Sequence, residues 1–140
     1  MKKVFFQIGT NNGDDVFRQL CIRHKPDVIV LVEPNKIHLE SIKKLYSDFN
    51  NVNIFSNAIY YEDDKDIELY IPAMDGVIGI PGENGITYNS GHYSLLPMND
   101  WGEKKNMVKL TTKSITFDTI CQKLNITDIE FLQIDTEGFD

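Results

Sequence analysis

Three short segments carry residues whose types and spacing suit chemistry. Gln7-Ile8-Gly9-Thr10-Asn11-Asn12-Gly13 is a glycine turn behind an apolar run, and such a turn lets the backbone bend sharply and approach a ligand closely. Taken alone, the Gly9–Gly13 spacing fits an ordinary strand-to-helix turn equally well. Glu33 lies twenty positions beyond Gly13, at the tip of a second apolar run, where a carboxylate can accept both hydroxyls of an adenosine ribose. Alone it would be a solvated loop glutamate; together with the turn it points to a nucleoside-bearing cofactor. Asp135-Thr136-Glu137-Gly138 follows a further such run and places two carboxylates on one loop.

Charge separates the cofactors that share this geometry. A dinucleotide pyrophosphate wants a G-x-G-x-x-G turn and a helix start without carboxylates. Here Asn11 replaces the second glycine, and Asp14 and Asp15 crowd the helix start. A sulfonium with a zwitterionic tail tolerates those carboxylates, so S-adenosylmethionine (SAM) is favoured over NAD. Methyl transfer from a sulfonium is an in-line displacement governed by positioning, with a base needed only for a hydroxyl acceptor. Asp135 is the candidate base by placement, with loop capping or cofactor contact as the alternative roles. His92, within Ser90-Gly91-His92-Tyr93-Ser94, is a second candidate base or substrate contact, set against the reading of a merely exposed histidine. Asp118, Asp135 and Glu137 carry oxygen ligands of the kind magnesium takes, but as scattered loop and helix carboxylates they predict no metal site. Tyr88 and Trp101 fit an aromatic wall over a pocket or a partial core role equally.

These loops need a scaffold, and the apolar pattern supplies one. Val4–Ile8, Val28–Val32, Val52–Phe55 and Phe131–Ile134 are short runs rich in β-formers and read as strands buried on both faces. Between them, Gly13 opens a helix with Val16, Phe17, Leu20, Cys21 and His24 at helical spacing, Asp14 and Asp15 in its first turn and Pro26 as its stop. Asn35 caps a second helix bearing Ile42, Leu45, Tyr46 and Phe49, and Ser114 or Thr116 starts a third bearing Phe117, Ile120, Cys121 and Leu124. That order predicts an α/β fold with a mostly parallel sheet and helices on both faces. Asp66–Ile71 and Met107–Thr111 alternate as a half-exposed antiparallel strand pair does. Residues 72–106 concentrate glycine and proline without a period and predict a long mobile insertion. The expectation is one domain over residues 1–140, a doubly wound fold cut off after its fourth core strand.

Bulk properties narrow the partners. The 140 residues carry a net charge of -7 and a pI near 4.9, with Lys and Arg scattered, which disfavours nucleic acid. The longest apolar run, Val28–Val32, is far short of the roughly 18 residues of a membrane span. Met1-Lys2-Lys3 before Val4-Phe5-Phe6 imitates a secretion signal, but Gln7, Gly9 and Asn11 end the apolar stretch, so a cytoplasmic protein is expected. Cys21 and Cys121, distant and without a Cys/His cluster, are read as buried free thiols.

Phe6–Gly13, Val32-Glu33-Pro34, Ser56-Asn57-Ala58, Thr116-Phe117-Asp118 and Leu132–Gly138 together resemble, in order, the successive motifs of the FkbM-type methyltransferases. The resemblance implies a Rossmann-like class I methyltransferase fold and SAM-dependent O-methylation of a sugar, glycan or natural-product hydroxyl. It implies that Gly9, Asn11 and Gly13 line the methionine part of SAM, that Glu33 holds the ribose, and that Asn57 and Ala58 flank the adenine. Asp135 would lie beside the transferring methyl, with Glu137 on the same loop. Gln7 stands where the family pattern usually has an acidic residue reaching the SAM amino group, and Gln133 where lysine is common. Two other readings stay open: a silent methyltransferase-derived module binding a nucleoside or a protein, and an NAD-dependent oxidoreductase.

Overall fold

The computed structural model describes residues 1–72 and 107–136. In chain order it contains β1 (Val4–Ile8), α1 (Val16–His24), β2 (Val28–Val32), α2 (Leu39–Leu45), β3 (Val52–Phe55), β4 (Ala58–Ile59), β5 (Asp66–Pro72), β6 (Met107–Ile115), α3 (Phe117–Leu124) and β7 (Phe131–Ile134). Strands β1, β2, β3 and β7 form an all-parallel sheet in the order β3-β2-β1-β7. The chain thus builds outward from β1 to β3, then returns to the other side of β1. The order reverses between β1 and β7.

Both faces of β1 and β2 are covered, which explains their uninterrupted apolar runs, whereas β3 is half-buried and β7, also expected to be buried on both faces, is exposed at alternate residues. On one face Val4, Phe6, Ile8, Val28, Val30 and Val32 pack with Ile120 and Phe117 of α3. On the other, Phe5, Ile29 and Leu31 meet Phe17 and Cys21 of α1, and Ile42 and Tyr46 at α2. Burial pushes the Cys21 thiol up to about 12, with the nearby Asp15 carboxylate adding to the effect; Cys121 is half-buried and shifted the same way. Cover thins at β7, where Leu132 and Ile134 are 43% and 46% exposed.

The second sheet has the order β4-β6-β5, with β5 antiparallel to β6 and β4 parallel to it. The expected antiparallel pair is present, and β6 runs on to Ile115. Ser114 secures this end: its hydroxyl donates to the Glu62 carbonyl at 2.6 Å and accepts the Lys65 N–H at 2.9 Å.

The helix starts differ from the sequence reading in ways the caps explain. Gly13 has φ 83°, so the helix cannot begin there; Asp15 is the N-cap of α1, accepting the Arg18 N–H at 3.0 Å. Lys25, with φ 48°, closes α1 one residue before Pro26. Asn35 caps a single 3-10 turn, Lys36–His38, through the Ile37 N–H, and α2 follows it. Phe49 falls beyond α2 and reaches the core through a turn in which its N–H donates to the Tyr46 carbonyl. Thr116 is the cap of α3, through the Thr119 N–H.

The expected insertion lies outside the described residues from position 73 onward, as do Tyr88, His92, Trp101, Glu137 and Gly138. Among the described residues no helix is long and apolar enough to cross a membrane.

Candidate active site at the carboxyl edge of the parallel sheet

Strand β1 delivers the turn Gly9–Gly13, β2 delivers Glu33, and β7 delivers Asp135, all at the carboxyl ends of parallel strands. In such sheets ligands bind at this edge, where strand order reverses. Here the reversal is the seam between β1 and β7, and the two loops touch across it. The Asp135 N–H donates to the Ile8 carbonyl at 2.9 Å. Gly9 adopts φ 81°, and any Cβ added there would collide with the Asp135 carbonyl oxygen. The glycine is therefore required twice, by its dihedral and by the passing backbone. Asp135 itself is exposed beside this contact.

The turn is also tied to β2. The Gly9 and Thr10 N–H groups both donate to the Val32 carbonyl, at 2.9 and 3.2 Å. Glu33 is fully buried and its carboxylate bridges two loops: Oε2 accepts the Asn11 N–H at 2.6 Å and Oε1 the Asn35 N–H at 2.8 Å. A buried carboxylate needs such donors to offset its lost hydration. Asn11 sits at φ 53°, a left-handed conformation that asparagine tolerates better than most residues. From the far side, the Ser41 hydroxyl of α2 donates to the Asn12 carbonyl at 2.9 Å. Gly13 lies against Ile42 and Tyr46, so α2 forms the floor of the turn.

Gln7 is fully buried on the α1 side of β1 and donates through Nε2 to Asp15 Oδ2 at 2.5 Å. Asp15 thereby links the strand end to the start of α1, a connection that sequence spacing does not reveal. Burial drives the Tyr46 hydroxyl well above the usual phenol range, and the charge of the same carboxylate adds to the effect. Among the described residues, the buried side-chain atoms without a partner are Gln7 Oε1, Thr10 Oγ1, Tyr46 Oη and Ser56 Oγ. Gln7, Thr10 and Ser56 belong to the carboxyl ends of β1 and β3 or the loops just after them, and Tyr46 underlies Gly13. Buried polar atoms are normally satisfied, so their concentration at one edge sets that edge apart.

Asn57 and Ala58 follow β3. The Asn57 amide donates to the Lys113 carbonyl at 3.2 Å, and Ala58 is buried at the start of β4. The structure therefore brings Gln7, Gly9, Asn11, Gly13, Glu33 and Asp135 to one edge. Ser41 joins them without having stood out in sequence, through a hydrogen bond to the Asn12 carbonyl that no motif spacing announces; Asp15 and Asn35, read in sequence only for their place at helix starts, are tied to Gln7 and to Glu33. The described residues contain no group of three His, Cys, Asp or Glu side chains arranged to hold a metal.

A parallel α/β sheet with glycine and carboxylate loops gathered at its switch point is the arrangement at which open α/β domains hold their ligands. The family model for the methyltransferase FkbM domain matches residues 7–140, and the chain belongs to this methyltransferase family. No curated protein and no solved structure matches the chain.

Proposed function

We propose that the domain binds SAM at this edge and methylates a hydroxyl group of a sugar, glycan or natural-product small molecule. The observation that carries the reading is the start of α1. Asp15 already fills the helix N-terminus and is held there by Gln7. A dinucleotide pyrophosphate would bring negative charge onto that carboxylate, whereas a sulfonium ligand with an ammonium-bearing tail meets favourable charge. The two glycines serve the site by shaping the turn, since both hold a positive φ against packed neighbours.

In this reading the overall fold is the Rossmann-like class I methyltransferase fold. Gly9, Asn11 and Gly13 line the amino-acid half of the cofactor, with Gln7 holding the site's charge in place through Asp15. Glu33, its two oxygens already accepting the Asn11 and Asn35 N–H groups, would receive the ribose hydroxyls on its remaining lone pairs, and Asn57 and Ala58 border the adenine. SAM supplies an electrophilic methyl on a positively charged sulfur. The protein's part is alignment of the acceptor oxygen, worth several kcal/mol when the approach is in line, on the order of 7–11 in well-oriented systems. Asp135, exposed at the β1–β7 seam, would be the residue that takes up the acceptor's hydroxyl proton, with the methyl exchanging its bond to sulfur for one to the acceptor oxygen and S-adenosylhomocysteine left behind. His92 remains a proposed second base or acceptor contact. The acceptor is a small molecule or glycan, not nucleic acid, given the net charge of -7. A cytoplasmic location suits a SAM-dependent enzyme.

Calorimetry with S-adenosylhomocysteine and, separately, NAD tests this. Saturable binding of the former and none of the latter is expected. Binding of NAD alone would replace the reading with an oxidoreductase. Binding of S-adenosylhomocysteine without turnover of labelled SAM on any glycan or small-hydroxyl pool would favour a silent binding module.

A further inference from the structure

We propose that Glu33 is a positioning residue that fixes both ligand-facing loops before any ligand arrives, beyond any contact it makes with a ribose. The two oxygens of its carboxylate are each aimed at a main-chain N–H, Asn11 in the turn after β1 and Asn35 in the loop after β2. A carboxylate is an acceptor only, and charge-assisted bonds to N–H groups are stronger than neutral ones. Complete burial of the side chain shields both bonds from water and makes them costly to break.

The position of Glu33 is itself fixed, because its own N–H donates to the Phe55 carbonyl at 2.9 Å across to β3. The carboxylate therefore transmits the register of the sheet to a turn that must hold Asn11 at φ 53°. Val32, the preceding residue, contributes the carbonyl that receives Gly9 and Thr10. Adjacent residues at one strand end thus shape the neighbouring strand's loop, and a ligand meets a turn already in place.

The test uses the whole chain with Glu33→Gln, since an amide presents only one acceptor oxygen and places an NH2 group against one of the two N–H donors. Hydrogen exchange is measured without ligand. Peptides covering Gly9–Gly13 and Asn35–His38 are expected to exchange about tenfold faster or more, the order set by losing a charged hydrogen bond, while α3 keeps its wild-type rate. Unchanged exchange in both loops, or an equal rise in α3, overturns the proposal. Glu33→Asp, which keeps the charge but is one methylene shorter, is measured alongside and is expected to show the same pattern if Glu33→Gln does not fold.

A second measurement rests on the SAM reading. Glu33→Gln is expected to weaken S-adenosylhomocysteine, whose amino-acid half meets the turn, by a larger factor than adenosine. Equal losses would mean action on the ribose alone and would overturn the positioning role. If the wild type binds neither ligand, the SAM reading fails, and ligand-free exchange alone decides the role of Glu33.

Discussion

Single residues at the carboxyl edge differ in how much they tolerate, and the two glycines of the turn show it. Gly9→Ala places a Cβ against rigid backbone at a positive φ, whereas the nearest atoms to a Cβ on Gly13 are Ile42 Cγ1 at 3.3 Å and Tyr46 Cε2 at 3.4 Å, both in side chains. Side chains can give by tenths of an ångström; the Asp135 carbonyl is fixed by the β1–β7 pairing. Gly13→Ala is expected to cost about 1 kcal/mol from its dihedral alone, and Gly9→Ala about 3 kcal/mol. Urea melts of the two variants check the order, and a Gly13 variant less stable than the Gly9 variant would refute it. The sequence marks both glycines but not this inequality, which depends on what passes over each one.

At the scale of elements, α3 is held by a carboxylate from a distant loop. Asp63 Oδ1 accepts the Thr116 N–H and Oδ2 the Thr119 hydroxyl, each at 2.6 Å, joining the β4–β5 loop to the helix cap. The Thr119 hydroxyl, then the Thr116 N–H, hold its pKa below the ordinary 3.8. A depressed acid stabilises the fold above its unfolded-state pKa, and that contribution disappears as pH falls through the lower folded value. Stability should therefore fall more steeply below pH 4 in wild type than in Asp63→Asn, with the two curves parallel at neutral pH. Urea midpoints across pH 2 to 7, about the range over which carboxylates titrate, measure this; parallel curves throughout would refute it.

Most elements were legible because apolar runs and caps are local signals. The spans Val4–Ile8, Val28–Val32, Val52–Phe55 and Phe131–Ile134 stand in the structure as read. The start of α1 was not, because Asp15 serves as cap and partner of Gln7 at once, and only the fold brings position 7 next to position 15. Strand β4 was missed for a similar reason: two residues, paired with the distant β6, carry no period.

Among the described residues, two cores share the parallel sheet and a third, smaller one of Ala58, Ile67 and Leu69 lies on the second sheet. Phe17 lies wholly within one of the first two and Ile120 wholly within the other, both fully buried. Since β1 and β2 contribute to both, neither face can come apart alone. Phe17→Ala and Ile120→Ala are each expected to cost about 3–4 kcal/mol while leaving one transition, coincident by circular dichroism and by fluorescence. Separate transitions would show that the faces unfold independently. The site was legible in part at this scale, since its three loops were marked but their tethers to one another were not. Those tethers are single hydrogen bonds between segments far apart in the chain.

Many of these tethers end on main-chain atoms: the carbonyls of Val32, Asn12 and Ile8, and the N–H groups of Asn11, Asn35 and Asp135. A contact that ends on main chain survives a change of side chain at that position, so the form of this edge depends on few side chains, the absence of one at Gly9 and the carboxylate of Glu33 among them.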